Sequence, residues 1–84
     1  MLIVDDSQIN IVAINALLQG ALDIPTDYAL SGSITLEKVK RRVEDVLSGR
    51  GQMFKLLLLD FSMPGMDGPE VAQRVLEMLT HAGI

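Results

Sequence analysis

The sequence predicts an α/β fold in which three parallel strands alternate with three helices. Two short apolar runs, residues 1–4 and 56–59, each stop at an aspartate, which is typical of buried strands that end at a polar rim. A third and more mixed segment, residues 27–30, follows Pro25. A stretch with apolar residues at helical spacing follows each of these segments. Because the order is β-α-β-α-β-α, we expect parallel strands joined by right-handed crossovers within a single domain, residues 1–84.

The three predicted helices each show an apolar stripe. The first begins after Ser7, whose hydroxyl can cap it, and ends near Gly20; its stripe is Ile9, Val12, Ala13, Ala16 and Leu17. The stripe of the second is Leu36, Val39, Val43, Val46 and Leu47. The third begins at Asp67, which has capping-box spacing with Glu70, and carries Pro69 in its first turn. Its stripe is Val71, Ala72, Val75, Leu76 and Leu79.

Composition excludes several classes of function. The chain contains no cysteine, so disulfides, thiolate metal sites and thiol nucleophiles are excluded. Its net charge of -4 argues against a nucleic-acid-binding surface, which needs a basic face. The longest uncharged stretch, residues 7–22, is too short to span a bilayer, and the N-terminus has no basic segment. We therefore expect no membrane insertion by this segment, no signal peptide and a cytoplasmic location.

Three aspartates stand where the predicted strands end. Asp5 and Asp6 follow the first strand, and Asp60 follows the third. If those strands are neighbours, three carboxylates meet at the rim where open parallel sheets bind ligands. Like charges about 4 Å apart repel by ~4 kcal/mol at an effective dielectric near 20, so such a cluster needs a cation or a proton. Hard oxygen ligands at a wet rim suit Mg²⁺, beside which a carboxylate can attack a phosphoryl donor.

Two other acidic motifs do not fit this sequence. A calcium loop that starts at Asp60 requires ligands at its third, fifth and twelfth positions, where the chain has Ser62, Pro64 and Val71. A phosphatase motif of the haloacid dehalogenase type, Asp-x-Asp-x-Thr, fails at Ser62 and Pro64. A plainer alternative, in which the aspartates are helix caps or solvated turn residues, stays open at this point.

Two strings of residues carry a resemblance to a known family. Residues 4–10, Val-Asp-Asp-Ser-Gln-Ile-Asn, resemble the opening of response-regulator receiver domains, especially those attached to hybrid histidine kinases. The Leu-Leu pair at residues 17–18 fits the same group. Residues 58–68 are the stronger match, because Asp-x-x-Met-Pro-x-Met-Asp-Gly after an apolar strand is highly specific. A looser match to the family's middle signature is given by Ala29, Gly32 and Leu36.

The resemblance implies a flavodoxin-like parallel sheet with strand order 2-1-3, and it assigns a site residue by residue. Asp60 would be the phosphoacceptor, Asp6 would bind Mg²⁺ directly, and Asp5 would assist through water. The backbone carbonyl of Ser62 would complete the protein's share of the metal site. The donor would be a phosphohistidine on a histidine kinase or histidine phosphotransfer domain, in a histidine-to-aspartate phosphorelay. Such a module is modified on its own side chain and is not usually called an enzyme.

The chain departs from this family in length. Receivers have five βα units and this sequence has room for three, so we expect an incomplete receiver domain, truncated after the third unit. The missing units normally supply a Ser or Thr and a Lys that bind the phosphoryl group, and no residue here is assigned to either role. The alternatives are a truncated receiver that binds a partner without phosphotransfer, or an unrelated phosphate- or metal-binding α/β fragment. The single histidine, His81, is expected at the surface.

Overall fold

Six elements alternate along the chain in the computed structural model, which describes residues 1–22, 25–60 and 63–84. The strands are β1 (Leu2–Val4), β2 (Asp27–Ala29) and β3 (Leu57–Leu59). The helices are α1 (Gln8–Leu22), α2 (Gly32–Leu47) and α3 (Gly68–Ala82). The predicted alternation of strands and helices is confirmed. None of the helices in the described ranges is both long and apolar enough to cross a membrane.

The strands form one parallel sheet in the order β2-β1-β3, which confirms the predicted order. Ile3, at the centre of β1, pairs with Tyr28 of β2 on one side and with Leu58 of β3 on the other. The side chains of β1 are almost entirely buried. A continuous apolar run is the pattern expected for a parallel strand that is covered on both faces.

Helices cover the two faces of the sheet unequally. Successive side chains of β1 point to opposite faces, so Leu2 and Val4 lie in one core and Ile3 in the other. The larger core lies beneath α2 and α3 and contains the buried residues Ala29, Val39, Val43, Met63, Val71 and Val75. The smaller core lies beneath α1 and is formed by Met1 and Ile11, with the partly buried Ile14, Leu18, Leu56 and Leu58. One helix therefore covers one face and two cover the other.

The prediction of the sheet-facing side of α1 was wrong. Ile11, Ile14 and Leu18 pack on the sheet, whereas the predicted stripe faces solvent, with Ile9 81% and Leu17 78% exposed. Apolar residues surround most of this helix, so two different stripes satisfy helical spacing and periodicity cannot choose between them. The predicted end near Gly20 was also wrong, because α1 continues to Leu22. A helical glycine costs only about 1 kcal/mol relative to alanine, and packing can override that cost.

The predicted stripes of α2 and α3 are confirmed in their central residues and wrong at one position each. Val39 and Val43 of α2 and Val71 and Val75 of α3 are buried. Two predicted members lie in solvent instead, since Leu47 is 64% exposed and Leu76 is 63% exposed. As predicted, the Asp67 carboxylate caps α3, accepting a hydrogen bond from the Glu70 N–H at 3.0 Å.

Gly32 lets the starts of α2 and α3 approach closely. A Cβ atom at position 32 would lie 2.9 Å from both Met66 Cβ and Val71 Cγ2, closer than real Cβ contacts allow. The same region holds Thr35, whose buried hydroxyl donates to the Ser31 carbonyl at 2.8 Å. The loop that precedes α3 is therefore packed directly against α2.

An ion pair connects β2 with α2. Lys38 Nζ lies 2.7 Å from Asp27 Oδ1 and also lies over the Tyr28 ring, 5.6 Å from its centroid. Burial raises the pKa of Asp27, but the Lys38 hydrogen bond, the Tyr28 N–H and the charges of Lys38 and Arg42 outweigh burial. The net pKa lies below its ordinary value of 3.8. The ion pair is therefore formed throughout the neutral range.

We expect Lys38→Met to lower the free energy of unfolding at pH 7 by about 0.2–1 kcal/mol, since both side chains are partly exposed. Asp27 has a depressed pKa in the folded state. Its contribution is therefore present above the ordinary pKa and is lost as the pH falls through the lower, folded-state value. Urea unfolding at pH 7 and pH 3 should show the difference from wild type shrinking at pH 3. Lys40→Met, which removes an exposed charge from the same helix, is the control. Equal effects of both variants would contradict the assignment.

The strand β3 forms one of the two edges of the sheet. The N–H of Asp60 and the carbonyl of Leu56 bond to β1, so by alternation the backbone groups of Leu57 and Leu59 point away from the sheet. An apolar groove of about 350 Å³ runs along this edge between β3 and α3. It is lined by Leu57, Leu59, Ala72, Leu76 and Leu79, among others. Unpaired backbone groups beside an apolar groove favour pairing with another chain.

We expect the chain to self-associate through this edge, and Leu76→Glu to weaken the association about tenfold or more. Burying one leucine contributes roughly 1.5–3 kcal/mol, and 1.4 kcal/mol corresponds to a factor of ten. Sedimentation velocity across a concentration series measures the association. Leu47→Glu is a matched control, because Leu47 is equally exposed but lies outside the groove and the substitution adds the same charge. A strictly monomeric wild type, or equal effects of the two variants, would contradict the prediction.

Candidate functional site

The sheet brings the three predicted aspartates together. Val4 of β1 pairs with Leu59 of β3, so the residues that follow leave the sheet at the same edge. The backbone continues this pairing beyond the strands, since the Asp60 N–H donates to the Val4 carbonyl at 2.8 Å. On the other side, the Asp5 N–H donates to the Ala29 carbonyl at 3.1 Å. Both aspartates are thus held by backbone hydrogen bonds at the carboxyl ends of the strands.

Asp5, Asp6 and Asp60 form one acidic cluster. Each offers one carboxylate oxygen, and these oxygens all lie within 4.8 Å of one another. Burial differs among the three, since Asp5 is 7% exposed, Asp60 is half-buried and Asp6 is exposed. The cluster is therefore fixed on its inner side by the protein and open to solvent on its outer side.

The buried Asp5 is the most highly constrained of the three. Its Oδ1 accepts the Ser7 N–H at 2.9 Å, and its Oδ2 accepts from Asn10 Nδ2 at 3.3 Å. The Ser7 hydroxyl accepts the Asn10 N–H at 3.4 Å, which confirms the predicted cap of α1. The sequence did not identify a role for Asn10 in the site. The sequence could have indicated this role through spacing: Asn10 lies three residues after the capping Ser7 and therefore in the first turn of α1, close to Asp5.

The cluster concentrates negative charge. Unit charges 4.8 Å apart repel by about 3 kcal/mol at an effective dielectric near 20, and solvent reduces this value for the exposed Asp6. Among the residues that the structure describes, no Lys or Arg forms an ion pair with any of the three, since those pairs join other residues. The carboxylates of the exposed Asp6 and the half-buried Asp60, with the buried Asp5 behind them, fit Mg²⁺, which takes one or two carboxylates and keeps several waters.

The loop after β3 is partly described. Ser62, the predicted carbonyl ligand, lies outside the described residues, and so does Phe61. Met63 is 7% exposed and packs in the larger core. Gly65 has φ +84°, a left-handed conformation that favours glycine, so the chain can turn sharply there towards α3. The loop is therefore anchored at Met63, three residues from Asp60.

Other notable features lie away from the cluster. A cavity of about 400 Å³ lies at the amino ends of the strands, lined by Met1, Asp27, Arg42, Phe54 and Lys55 among others. The acidic cluster is at the opposite, carboxyl ends. His81, in the last turn of α3, is exposed as predicted. Neither feature contributes to the site.

Comparisons with known proteins were made at the levels of sequence and structure. No family model matches the chain. Hybrid signal transduction histidine kinase L of Dictyostelium discoideum is 32% identical over 77 residues, which cover 92% of this chain and 4% of the relative. The chain thus spans a very small part of that protein.

Solved structures with the same fold are also known. The receiver domain of the Arabidopsis thaliana histidine kinase CKI1, in complex with Mg²⁺ and BeF3⁻, superimposes with a TM-score of 0.88 at 23% identity. The match covers 99% of this chain and 58% of that one. Two mutant forms of the same domain give TM-scores of 0.86 and 0.82 at 21% and 24% identity, with similar coverage. This chain spans a little more than half of these structures.

We expect Asp6→Asn to raise the melting temperature in EDTA by about 2–4 °C, because it removes one of three mutually repelling charges. Added Mg²⁺ should reverse the order, since binding to the folded state stabilises the wild type more than the variant. Thermal unfolding in EDTA and across a Mg²⁺ series measures both effects. Glu44→Gln, which removes an exposed acid from α2, is the control for net charge. Equal responses of wild type and Asp6→Asn to Mg²⁺ would place the site elsewhere.

Proposed function

We propose that this chain, which has the fold of a receiver domain, accepts a phosphoryl group on Asp60 in a histidine-to-aspartate phosphorelay. The likeness to receiver domains predicted from the sequence is confirmed by the comparisons. Because identity to the solved structures is below 25%, they support only the assignment of the fold. The proposed function is argued from the geometry of the acidic cluster. The observation that supports it is the β1–β3 register, which brings Asp60 beside Asp5 and Asp6.

The proposed reaction uses Asp60 as a nucleophile. One of its carboxylate oxygens attacks the phosphorus of a phosphohistidine, a new oxygen–phosphorus bond forms, and the phosphorus–nitrogen bond breaks. The imidazole nitrogen leaves with the electron pair and takes up a proton from solvent. Backbone bonding to Val4 fixes the main chain of Asp60, while its half-buried side chain stays accessible to a donor. The product is an aspartyl phosphate.

The neighbouring residues have separate proposed roles. Asp6, the exposed member, would bind Mg²⁺ directly together with Asp60 and the carbonyl of Ser62. Asp5 would act through a metal-bound water, because each of its oxygens already accepts a hydrogen bond from the protein. When bound, Mg²⁺ neutralises the oxygens of the transferring phosphoryl group. The complex of the CKI1 receiver with Mg²⁺ and BeF3⁻ supports this proposal by likeness of fold.

The proposed partner is a histidine kinase or a histidine phosphotransfer domain. The 32% identical relative is a hybrid histidine kinase, which supports a donor of this type. Phosphohistidine is made from ATP inside the cell, so the proposal also places the module in the cytoplasm. The chain is modified on its own residue in a single transfer. It therefore acts as a phosphoacceptor and not as an enzyme.

A second candidate function is partner binding without phosphotransfer. Two surfaces favour it: the free edge of β3 with its groove, and the exposed apolar side of α1, where Ile9 and Leu17 lie in solvent. This function would keep the metal site and omit the transfer.

Incubation with acetyl phosphate and Mg²⁺ tests the proposal. Borohydride reduction followed by peptide mass mapping should locate the modification on Asp60 and none in Asp60→Asn, whereas Asp45→Asn on α2 should label like wild type. Modification of His81 or a serine, or unchanged labelling in Asp60→Asn, would refute the assignment. Stabilisation by Mg²⁺ without any acyl phosphate would favour the second function.

A further inference from the structure

We infer that Asn10 is a positioning residue that orients the Asp5 carboxylate for metal binding. The inference rests on the proposed function, since it concerns how the same acidic cluster is held. Its basis is a closed ring of three hydrogen bonds that connects the end of β1 to the first turn of α1. The ring joins Asp5 to Ser7, Ser7 to Asn10, and Asn10 back to Asp5.

The ring gives the two oxygens of Asp5 different partners. Oδ1 accepts from the backbone of Ser7 at 2.9 Å, and Oδ2 accepts from the side chain of Asn10 at 3.3 Å. A carboxylate held by one hydrogen bond can still rotate about its terminal torsion, which is broad and roughly two-fold. The second bond removes this freedom. Each oxygen keeps a lone pair that can accept a hydrogen bond from a metal-bound water, since a carboxylate has about four acceptor positions.

Asn10 is suited to this role because it is a neutral donor. An amide NH2 group satisfies the buried Asp5 without offsetting the negative charge that attracts the cation. A Lys or Arg at this position would pair with the cluster and compete with the metal. Groups that orient the ligands of a metal through hydrogen bonds typically affect affinity 10–100-fold when they are removed.

The side chain of Asn10 can be removed without removing the cap of α1. The cap uses the backbone N–H of Asn10, which is unchanged in Asn10→Ala. The contact with Asp5 uses the side-chain amide, which the substitution removes. Asn10 is also exposed, so its truncation leaves no cavity in the core. The variant therefore separates orientation of the carboxylate from stability of the helix.

Calorimetric titration of the chain with Mg²⁺ and with Ca²⁺ tests the inference, at concentrations where sedimentation shows a monomer. We expect Asn10→Ala to raise the Kd for Mg²⁺ about tenfold. The preference for Mg²⁺ over Ca²⁺ should also fall, because Mg²⁺ demands near-ideal octahedral geometry and Ca²⁺ tolerates a flexible site. Gln19→Ala, an exposed amide on the same helix, should leave both values unchanged. A purely structural role of Asn10 would not change the selectivity.

A second measurement uses the wild type alone. In a ¹H–¹⁵N spectrum, the side-chain NH2 signals of Asn10 should shift with Mg²⁺ at the same midpoint as the backbone amide of Asp60. Wild type that binds Mg²⁺ while Asn10→Ala keeps its affinity and selectivity would overturn this inference and leave the proposed function intact. Wild type that binds no Mg²⁺ would overturn both.

Discussion

The parallel pairing of β1 with β3 is the contact on which the site depends. Val4 lies opposite Leu59, and this register alone makes Asp5 and Asp60 neighbours. Four consecutive leucines precede Asp60, so a slip by one residue would still present leucine to both faces of the sheet. The charged residues at the two ends of that run limit this ambiguity. A slip in one direction would bring Asp60 into the paired strand, and a slip in the other would place Lys55 where Leu56 packs against the smaller core. The aspartate of the site thus also specifies the register that positions it.

The site and the fold make opposing demands at the carboxyl ends of the strands. Close packing around β1 favours burial of the neighbouring side chains, whereas a metal site needs carboxylates that are accessible to water. Solvent exposure accordingly increases across the cluster: Asp5 is buried and hydrogen-bonded, Asp60 is half-buried, and Asp6 is exposed. We expect the repulsion among the three carboxylates to destabilise the folded protein and to make its stability depend on cations. Sensitivity of this kind links occupancy of the site to the free energy of the whole domain.

The sequence was informative where polarity changes abruptly and uninformative where it does not. The positions of β1 and β3 follow from apolar runs that stop at aspartate, and the strand order follows from the resemblance to receiver domains. Both lie where expected, and so does the acidic cluster at the ends of those two strands. The buried face of α1 could not be chosen, because Ile9 and Ile11 begin two equally apolar stripes and only tertiary packing distinguishes them. The bond from Asn10 to Asp5 was also beyond prediction, since it depends on how the chain turns between them. Ser62 lies outside the described residues.

The central place of β1 has a consequence for the timing of synthesis. Its neighbour β2 follows it closely in the chain, but Leu2 and its other partner, Leu57, are separated by most of the sequence. At roughly 5–20 residues per second, a nascent chain spends several seconds with β1 made and β3 still untranslated. During that interval one edge of the most deeply buried strand has no partner, and the acidic cluster lacks its third member. The synthesis of β3 therefore completes the pairing of β1 and the acidic cluster together.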